Sequence, residues 1–233
     1  MSKTACIVVA AGRGLRMGGK APKQFRRLDG IPLVSYSLKV LQGVHEIGSI
    51  VLVVPAKAVD RSARYFLKRG RFPKILAVVA GGKLRQDSVD IGLAALPEGI
   101  KTVLVHDGVR PFISKALVKG LIQALRRHSA VVPACPIADT LKRLSPDGGR
   151  VLSTVSRNGL CGVQTPQGFH LSVLQRAIKK AKSGRWRVTD EAMLVEKMGS
   201  RVAVIPGDPA NLKITRPSDW EFARRWVQVR RLP

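Results

Sequence analysis

Between Ala10 and Lys23 the chain reads Ala-Ala-Gly-Arg-Gly-Leu-Arg-Met-Gly-Gly-Lys-Ala-Pro-Lys, rich in glycine and cations and free of carboxylates. Backbone N–H groups around Gly12 and Gly14 can close on phosphate oxygens, while Arg13, Arg16, Lys20 and Lys23 neutralise them. Two familiar phosphate motifs fit only in part. The dinucleotide fingerprint needs a third glycine where Met17 stands, and the P-loop needs Ser or Thr where Ala21 follows Lys20. The loop reads as a polyphosphate cradle of another kind, or as a plain flexible connection.

Further along stands His106-Asp-Gly-Val-Arg-Pro111. A carboxylate at a strand end opposite a cationic loop suits Mg2+, which takes one or two carboxylates and fills its shell with phosphate and water. Asp107 could equally pair locally with Arg110. His106 reads as structural, because no second His or Cys at metal spacing accompanies it. Gly81, Gly82, Lys83 and Ser88 form a turn before a helix, suited to a base or sugar and equally to an ordinary helix start. In Asn211-Leu-Lys-Ile-Thr215 a lone Lys213 sits among apolar residues, a costly arrangement that a ligand anion would relieve. No Ser-His-Asp pattern or nucleophilic thiol motif appears. Cations, phosphates and magnesium suit transfer at phosphorus, driven by charge stabilisation and positioning.

Short β-branched runs at 5–10, 50–54, 75–79, 102–105 and 130–135 alternate with helix-length segments at 33–41, 58–68, 86–96 and 115–128. Continuous apolar strands are buried on both faces, so the alternation predicts an α/β, Rossmann-like, doubly wound and mostly parallel sheet. Ligands then bind beyond the carboxyl ends of the strands, on the rim formed by the loops after Ala10, Val79 and Val105. The pattern breaks at 139–163, where two extended runs flank Ser145-Pro-Asp-Gly-Gly149 and predict an inserted β-hairpin arm. A lone hairpin is marginal in water, so this one needs something to pack on, such as a second subunit. Helices near 173–182 and 191–198, a strand at 202–205, an extended run at 211–215 and a helix from Pro217 complete the reading. With no linker in view, residues 1–233 are expected to form one domain.

The 233 residues carry a net charge of +26, which points to anionic partners without naming them. The cations are scattered along the chain and aromatics are only 5%, so the sequence shows no interleaved stripe of a nucleic-acid module. No apolar run approaches the ~18 residues of a membrane span, and the run from Ala5 to Ala11 lacks a cleavage-type ending. The three cysteines, Cys6, Cys135 and Cys161, fit no disulfide framework, and a soluble cytoplasmic protein is expected.

Six motifs stand in order: Ala10-Ala-Gly-x-Gly-x-Arg16-Met, Pro22-Lys-Gln24, Gly81-Gly-x-x-Arg85-x-x-Ser88, His106-Asp-x-x-Arg110-Pro, Gln164-Thr-Pro-Gln167 and Asn211-x-Lys213-Ile-Thr215. Together they resemble the 2-C-methyl-D-erythritol 4-phosphate cytidylyltransferase family, over nearly the whole chain. The resemblance implies a nucleotide-diphospho-sugar transferase type of fold, and a reaction of CTP with methylerythritol phosphate that needs Mg2+ or another divalent cation. It implies catalytic roles for Arg16, Lys23 and Lys213, and magnesium binding by Asp107. Nucleotide contacts are implied for Ala10, Ala11, Gly12, Gly14, Arg16, Lys23, Ala80, Gly81, Gly82, Lys83 and Ser88. Contacts to the alcohol phosphate are implied for Asp107, Arg110, Thr140, Arg157, Thr165 and Lys213. It further implies a homodimer whose arm reaches the partner's site. Departures are Gly108-Val109 for a pair of alanines, Phe25 for tyrosine, and Leu160-Cys-Gly162 without the usual aromatic. A polyol phosphate such as ribitol 5-phosphate is the alternative acceptor, and a basic nucleic-acid-binding protein is the alternative from another class.

Overall fold

The computed structural model describes residues 3–12, 14, 22–68 and 70–229. The chain opens with β1 (Thr4–Val9), then a single turn of 3-10 helix at Lys23–Phe25, the short antiparallel pair β2 (Arg27–Leu28) and β3 (Ile31–Pro32), and α1 (Leu33–Gln42). There follow β4 (Ile47–Val54), α2 (Val59–Phe66), β5 (Ile75–Ala80), α3 (Arg85–Ala94), β6 (Thr102–Asp107), α4 (Lys115–Ala124) and β7 (Ala130–Pro136). The arm is β8 (Leu141–Leu144) and β9 (Val151–Val155), paired only with each other. Then come β10 (Cys161–Val163), β11 (Gln167–His170), α5 (Leu171–Ser183), α6 (Glu191–Lys197), β12 (Ala203–Pro206) and α7 (Pro217–Val229).

The main sheet runs β10-β7-β11-β6-β1-β4-β5, with β12 added to β7. β1, β4, β5 and β6 are mutually parallel, as the apolar runs predict, and β12 joins β7 in parallel. β10 and β11 run antiparallel to β7, and β11 also to β6. These two strands were not expected. Residues from Val163 to Gly168 advance five places while β7 advances three, from Ala134 to Val131, so the chain bulges between them. A bulge re-aims side chains next to a site, and this one contains Thr165.

The central strands bury both faces. Cys6, Val8 and Leu52 meet α1, α2 and α4, while Ile7, Val53 and Val105 meet α3, α5 and α6. A third cluster joins α7 to the segment before it through Ile214, Ala223, Phe112 and Leu33. Helix ends are fixed by caps: Ser114 Oγ accepts from the Leu117 N–H, and Asp190 Oδ1 from the Met193 N–H. The helix expected to reach His128 ends at Ala124, and the remaining residues continue as turns. The expected extension at 211–215 is not a strand. One backbone bond, from Ile214 N–H to Val109 O, ties it to the loop after β6, and no ladder forms.

Gly92 shows how closely α3 lies on the sheet, since a Cβ there would stand 2.6 Å from Ile7 Cγ2 and 3.2 Å from Val53 Cγ2. Helix propensity favours alanine by ~1 kcal/mol, whereas overpacking a tight core costs ~1–3 kcal/mol. Gly92→Ala should therefore lower stability, and a urea midpoint at or above wild type would show that α3 can lift at no cost.

Candidate active site

The carboxyl ends of the parallel strands open into a cleft of about 460 Å3. The loop after β1 contributes Ala10, Ala11, Gly12 and Gly14 to it, and the following turn contributes Lys23 and Gln24. The start of α3 adds Gly82, Lys83, Arg85 and Ser88, β6 adds Asp107, and the segment before α7 adds Lys213. The rim expected from strand alternation is thus the lining of the cleft. Arg16, with Arg13, Met17 and Lys20, lies outside the described residues.

Backbone and side chains shape the nucleotide wall together. Gln24, almost fully buried, donates from Nε2 to Ala10 O at 2.6 Å and Gly12 O at 3.1 Å, fixing the loop after β1. Gly81 is pressed against it, because a Cβ would meet Ala11 Cβ at 2.4 Å and Ser88 Oγ at 2.8 Å. Ser88 Oγ accepts from Gly82 N–H at 3.2 Å. Ala80 ends β5 just behind this contact. Lys23 Nζ donates to Ile214 O at 2.7 Å, which anchors the ammonium at the cleft.

Asp107 is the electrostatic centre. Its Oδ1 takes Arg85 at 3.0 Å and its Oδ2 takes Lys213 Nζ at 2.7 Å. The local partner Arg110 is not used: its NH1 donates to Asn211 O at 2.8 Å instead. Lys213 likewise owes its place to Asp107, and its side chain is 39% exposed, so the view of a buried strand lysine awaiting a ligand anion is corrected. Burial alone would push the Asp107 carboxyl up, but Arg85 and then Lys213 hold it well below the ordinary range. Burial pushes the His106 ring down to about 4, so it is neutral at pH 7. Its Nε2 faces Arg110 O at 3.2 Å and its Nδ1 faces Thr165 Oγ1 at 3.2 Å, the structural role expected.

Arg85 also grips Glu191 with both carboxylate oxygens at 2.5 Å. Glu191 is fully buried. Burial pushes its carboxyl up, and the guanidinium pulls it back. Arg85 stood in a quoted motif without a role, and Glu191 was missed. Its only sequence signal is the Asp190 cap before a helix, which says nothing of a partner over a hundred residues away.

The acceptor residues divide. Thr165 Oγ1 accepts from Asp107 N–H at 3.0 Å, and Arg110 is partly buried beside it; neither lines the cleft. Thr140 and Arg157 lie on the exposed arm, where Arg157 donates to Ala138 O and, at 3.4 Å, to Ile137 O. The fold of a single chain does not bring them to Asp107.

Among the described residues no group of three or more His, Cys, Asp or Glu could cage a metal. The donor set still fits magnesium. Asp107 keeps one oxygen on Arg85 and shares the other with a half-exposed lysine, at a cleft whose ligand phosphates can complete an octahedron.

A mostly parallel α/β sheet whose strand ends open into a cation-rich cleft suits the class of nucleotide-handling transferases. The family profile of IspD, 2-C-methyl-D-erythritol 4-phosphate cytidylyltransferase, matches residues 4–229. The chain belongs to this family. A relative of that name in Streptomyces avermitilis is 39% identical over 99% of this chain and 94% of its own. One in Geobacillus thermodenitrificans is 42% identical over 93% of each. Among solved structures, 4-diphosphocytidyl-2C-methyl-D-erythritol synthase from Anaerococcus prevotii superposes with a TM-score of 0.82, at 32% identity and covering 97% and 98% of the two chains. No described helix is long and apolar enough to cross a membrane.

Removing Arg85 strands the buried Glu191 and leaves Asp107 to Lys213 alone, a loss of the kind that costs ~3–5 kcal/mol. Arg85→Ala should show a deficit of that order in chemical denaturation, and adding Glu191→Gln should restore part of it. A double variant no more stable than Arg85→Ala would refute the shared guanidinium as the anchor.

Proposed function

We propose that the chain transfers the cytidylyl group of CTP to 2-C-methyl-D-erythritol 4-phosphate, giving 4-diphosphocytidyl-2-C-methyl-D-erythritol and pyrophosphate. The observation that carries this reading is Lys23 and Lys213 lining one cleft with the Gly81–Ser88 wall, in a chain of this family. A phosphate oxygen of the acceptor attacks the α-phosphorus of CTP. The new P–O bond forms as the bond to the bridging oxygen breaks, and pyrophosphate leaves with that electron pair. A phosphate dianion needs no general base, so the protein's task is to align the reactants and stabilise the charge on phosphorus.

In this scheme Lys23, Lys213 and Arg16 face the phosphates, and Gly12 and Gly14 let backbone N–H groups approach them. Gly81, Gly82, Lys83 and Ser88 receive cytosine and ribose. Asp107 would hold magnesium, whose chemistry when bound is to neutralise the nucleotide phosphates. Arg110, Thr165, Thr140 and Arg157 serve the acceptor phosphate, the last two from the arm of a second copy in a homodimer. The supporting observation is that this arm pairs with nothing else in its own sheet and exposes Leu144, Val151 and Leu152.

Lys23→Ala should lower kcat far more than it raises the KM for CTP, by ~2–4 kcal/mol in transition-state terms. A pyrophosphate-release assay with normal kcat and weakened CTP binding would remove Lys23 from catalysis.

Crossing of the arm is tested by complementation. Lys23→Ala and Arg157→Ala homodimers should each be nearly inactive. A mixed dimer, co-expressed with two tags and purified through both, carries one site with both lesions and one with neither, so about half of wild-type activity per dimer should return. Activity no higher than either parent means that Lys23 and Arg157 serve different sites or the same subunit.

A further inference from the structure

Behind the active cleft lies a second concavity of about 670 Å3, and the turn at Lys23–Phe25 separates the two. Lys23 and Gln24 face the cleft, while Pro22 and Phe25 line the concavity. One wall is α2 with the turn before it, carrying Lys57, Arg61, Arg64 and Lys68. Arg61, Arg64 and Tyr65 share one face of α2, and Lys68 follows two residues after the helix ends at Phe66. Arg27 reaches in from β2 on the opposite wall, and Arg71 closes the end with its guanidinium 4.0 Å above the Tyr65 ring.

The lining holds six cations and no carboxylate. Among the described residues none of the six forms an ion pair, although Asp107, Glu191 and Asp90 elsewhere do find cations. Convergent like charges repel across a concavity, and their field is focused there. The floor is apolar, built from Phe25, Phe66, Tyr65 and the prolines Pro22, Pro32 and Pro55. Three or more phosphate charges with a compact organic body match both features, and the volume is that of a small-molecule pocket. A second copy of this chain would bring further positive charge. A nucleic-acid strand needs a track that continues past the walls, and these six cations line a single concavity.

We propose that this concavity is a binding site for a multiply phosphorylated small molecule, distinct from the nucleotide cleft. It does not depend on the cytidylyl reading. The probe is inorganic tripolyphosphate, titrated calorimetrically without CTP, so that the cleft and the concavity can each take it. Three proteins are compared: wild type, the groove variant Arg61→Glu/Arg64→Glu/Lys68→Glu, and a charge-matched control on α5, Arg176→Glu/Lys179→Glu/Lys180→Glu. All six positions are exposed, so neither variant disturbs the core. Wild type and control should bind two equivalents, both weakening as salt rises, and in the groove variant one of the two should bind at least about tenfold more weakly, a factor worth ~1.4 kcal/mol. CTP turnover without tripolyphosphate should be the same in all three. Equal weakening in both variants would reduce the effect to overall charge. Two equivalents of unchanged affinity in the groove variant, or a single equivalent in wild type, would overturn the site. A decauridylate that binds through these residues where tripolyphosphate does not would replace the proposal with a nucleic-acid track.

Discussion

The guanidinium of Arg85 lies between two carboxylates that the fold has taken out of water, Asp107 at the end of β6 and Glu191 at the start of α6. An unpaired charge at either position would cost several kcal/mol. The pairing therefore decides how α3, β6 and α6 can sit relative to one another. Lys213 completes it by taking the free oxygen of Asp107, which brings a fourth stretch of chain to the same point. Two carboxylates and two cations leave this core of the site near neutral. Lys23, in the same lining, is held apart on a backbone carbonyl.

Much of this frame is legible in the sequence, because buried parallel strands are written as continuous apolar runs. The runs read at 5–10, 50–54 and 102–105, without any partner in view, fall on the strands Thr4–Val9, Ile47–Val54 and Thr102–Asp107, and the rim they form follows from topology. The hairpin is legible because Pro146-Asp-Gly-Gly149 fixes a turn whatever surrounds it. β11 is not legible. Gln167-Gly-Phe-His170 has little β propensity, and what makes it a strand is the gap between β6 and β7, where Gly168 leaves no room for a side chain against Leu125 and Leu104. Glu191 fails for the same reason: its meaning is a partner 106 residues away.

The cations show the converse. Along the sequence they are scattered, and no stripe can be read. Folding brings Lys57, Arg61, Arg64, Lys68 and Arg71, from one stretch of chain, around a concavity that Arg27 joins from another. A surplus of positive charge is thus partly a property of two concave surfaces back to back, sharing the turn that carries Lys23 on one side and Phe25 on the other.

The segment from Asp208 to Thr215 ties the bulge at Gln164 and Thr165 to the turn that carries Lys23. It has no ladder of its own. Gln164 holds it at Asp208 through a reciprocal pair of bonds, and Asn211 Nδ2 donates to Thr165 O at 2.8 Å. Arg110 donates to Asn211 O, Ile214 N–H to Val109 O, and Lys23 to Ile214 O. Lys213, from the same few residues, supplies the second cation on Asp107. A backbone segment held by side chains in place of a sheet keeps its order only while those groups keep their partners. The conformation of this segment and the charge balance around Asp107 are therefore one property. Any anion that draws Lys23 off Ile214 or Lys213 off Asp107 acts on both ends of this segment together.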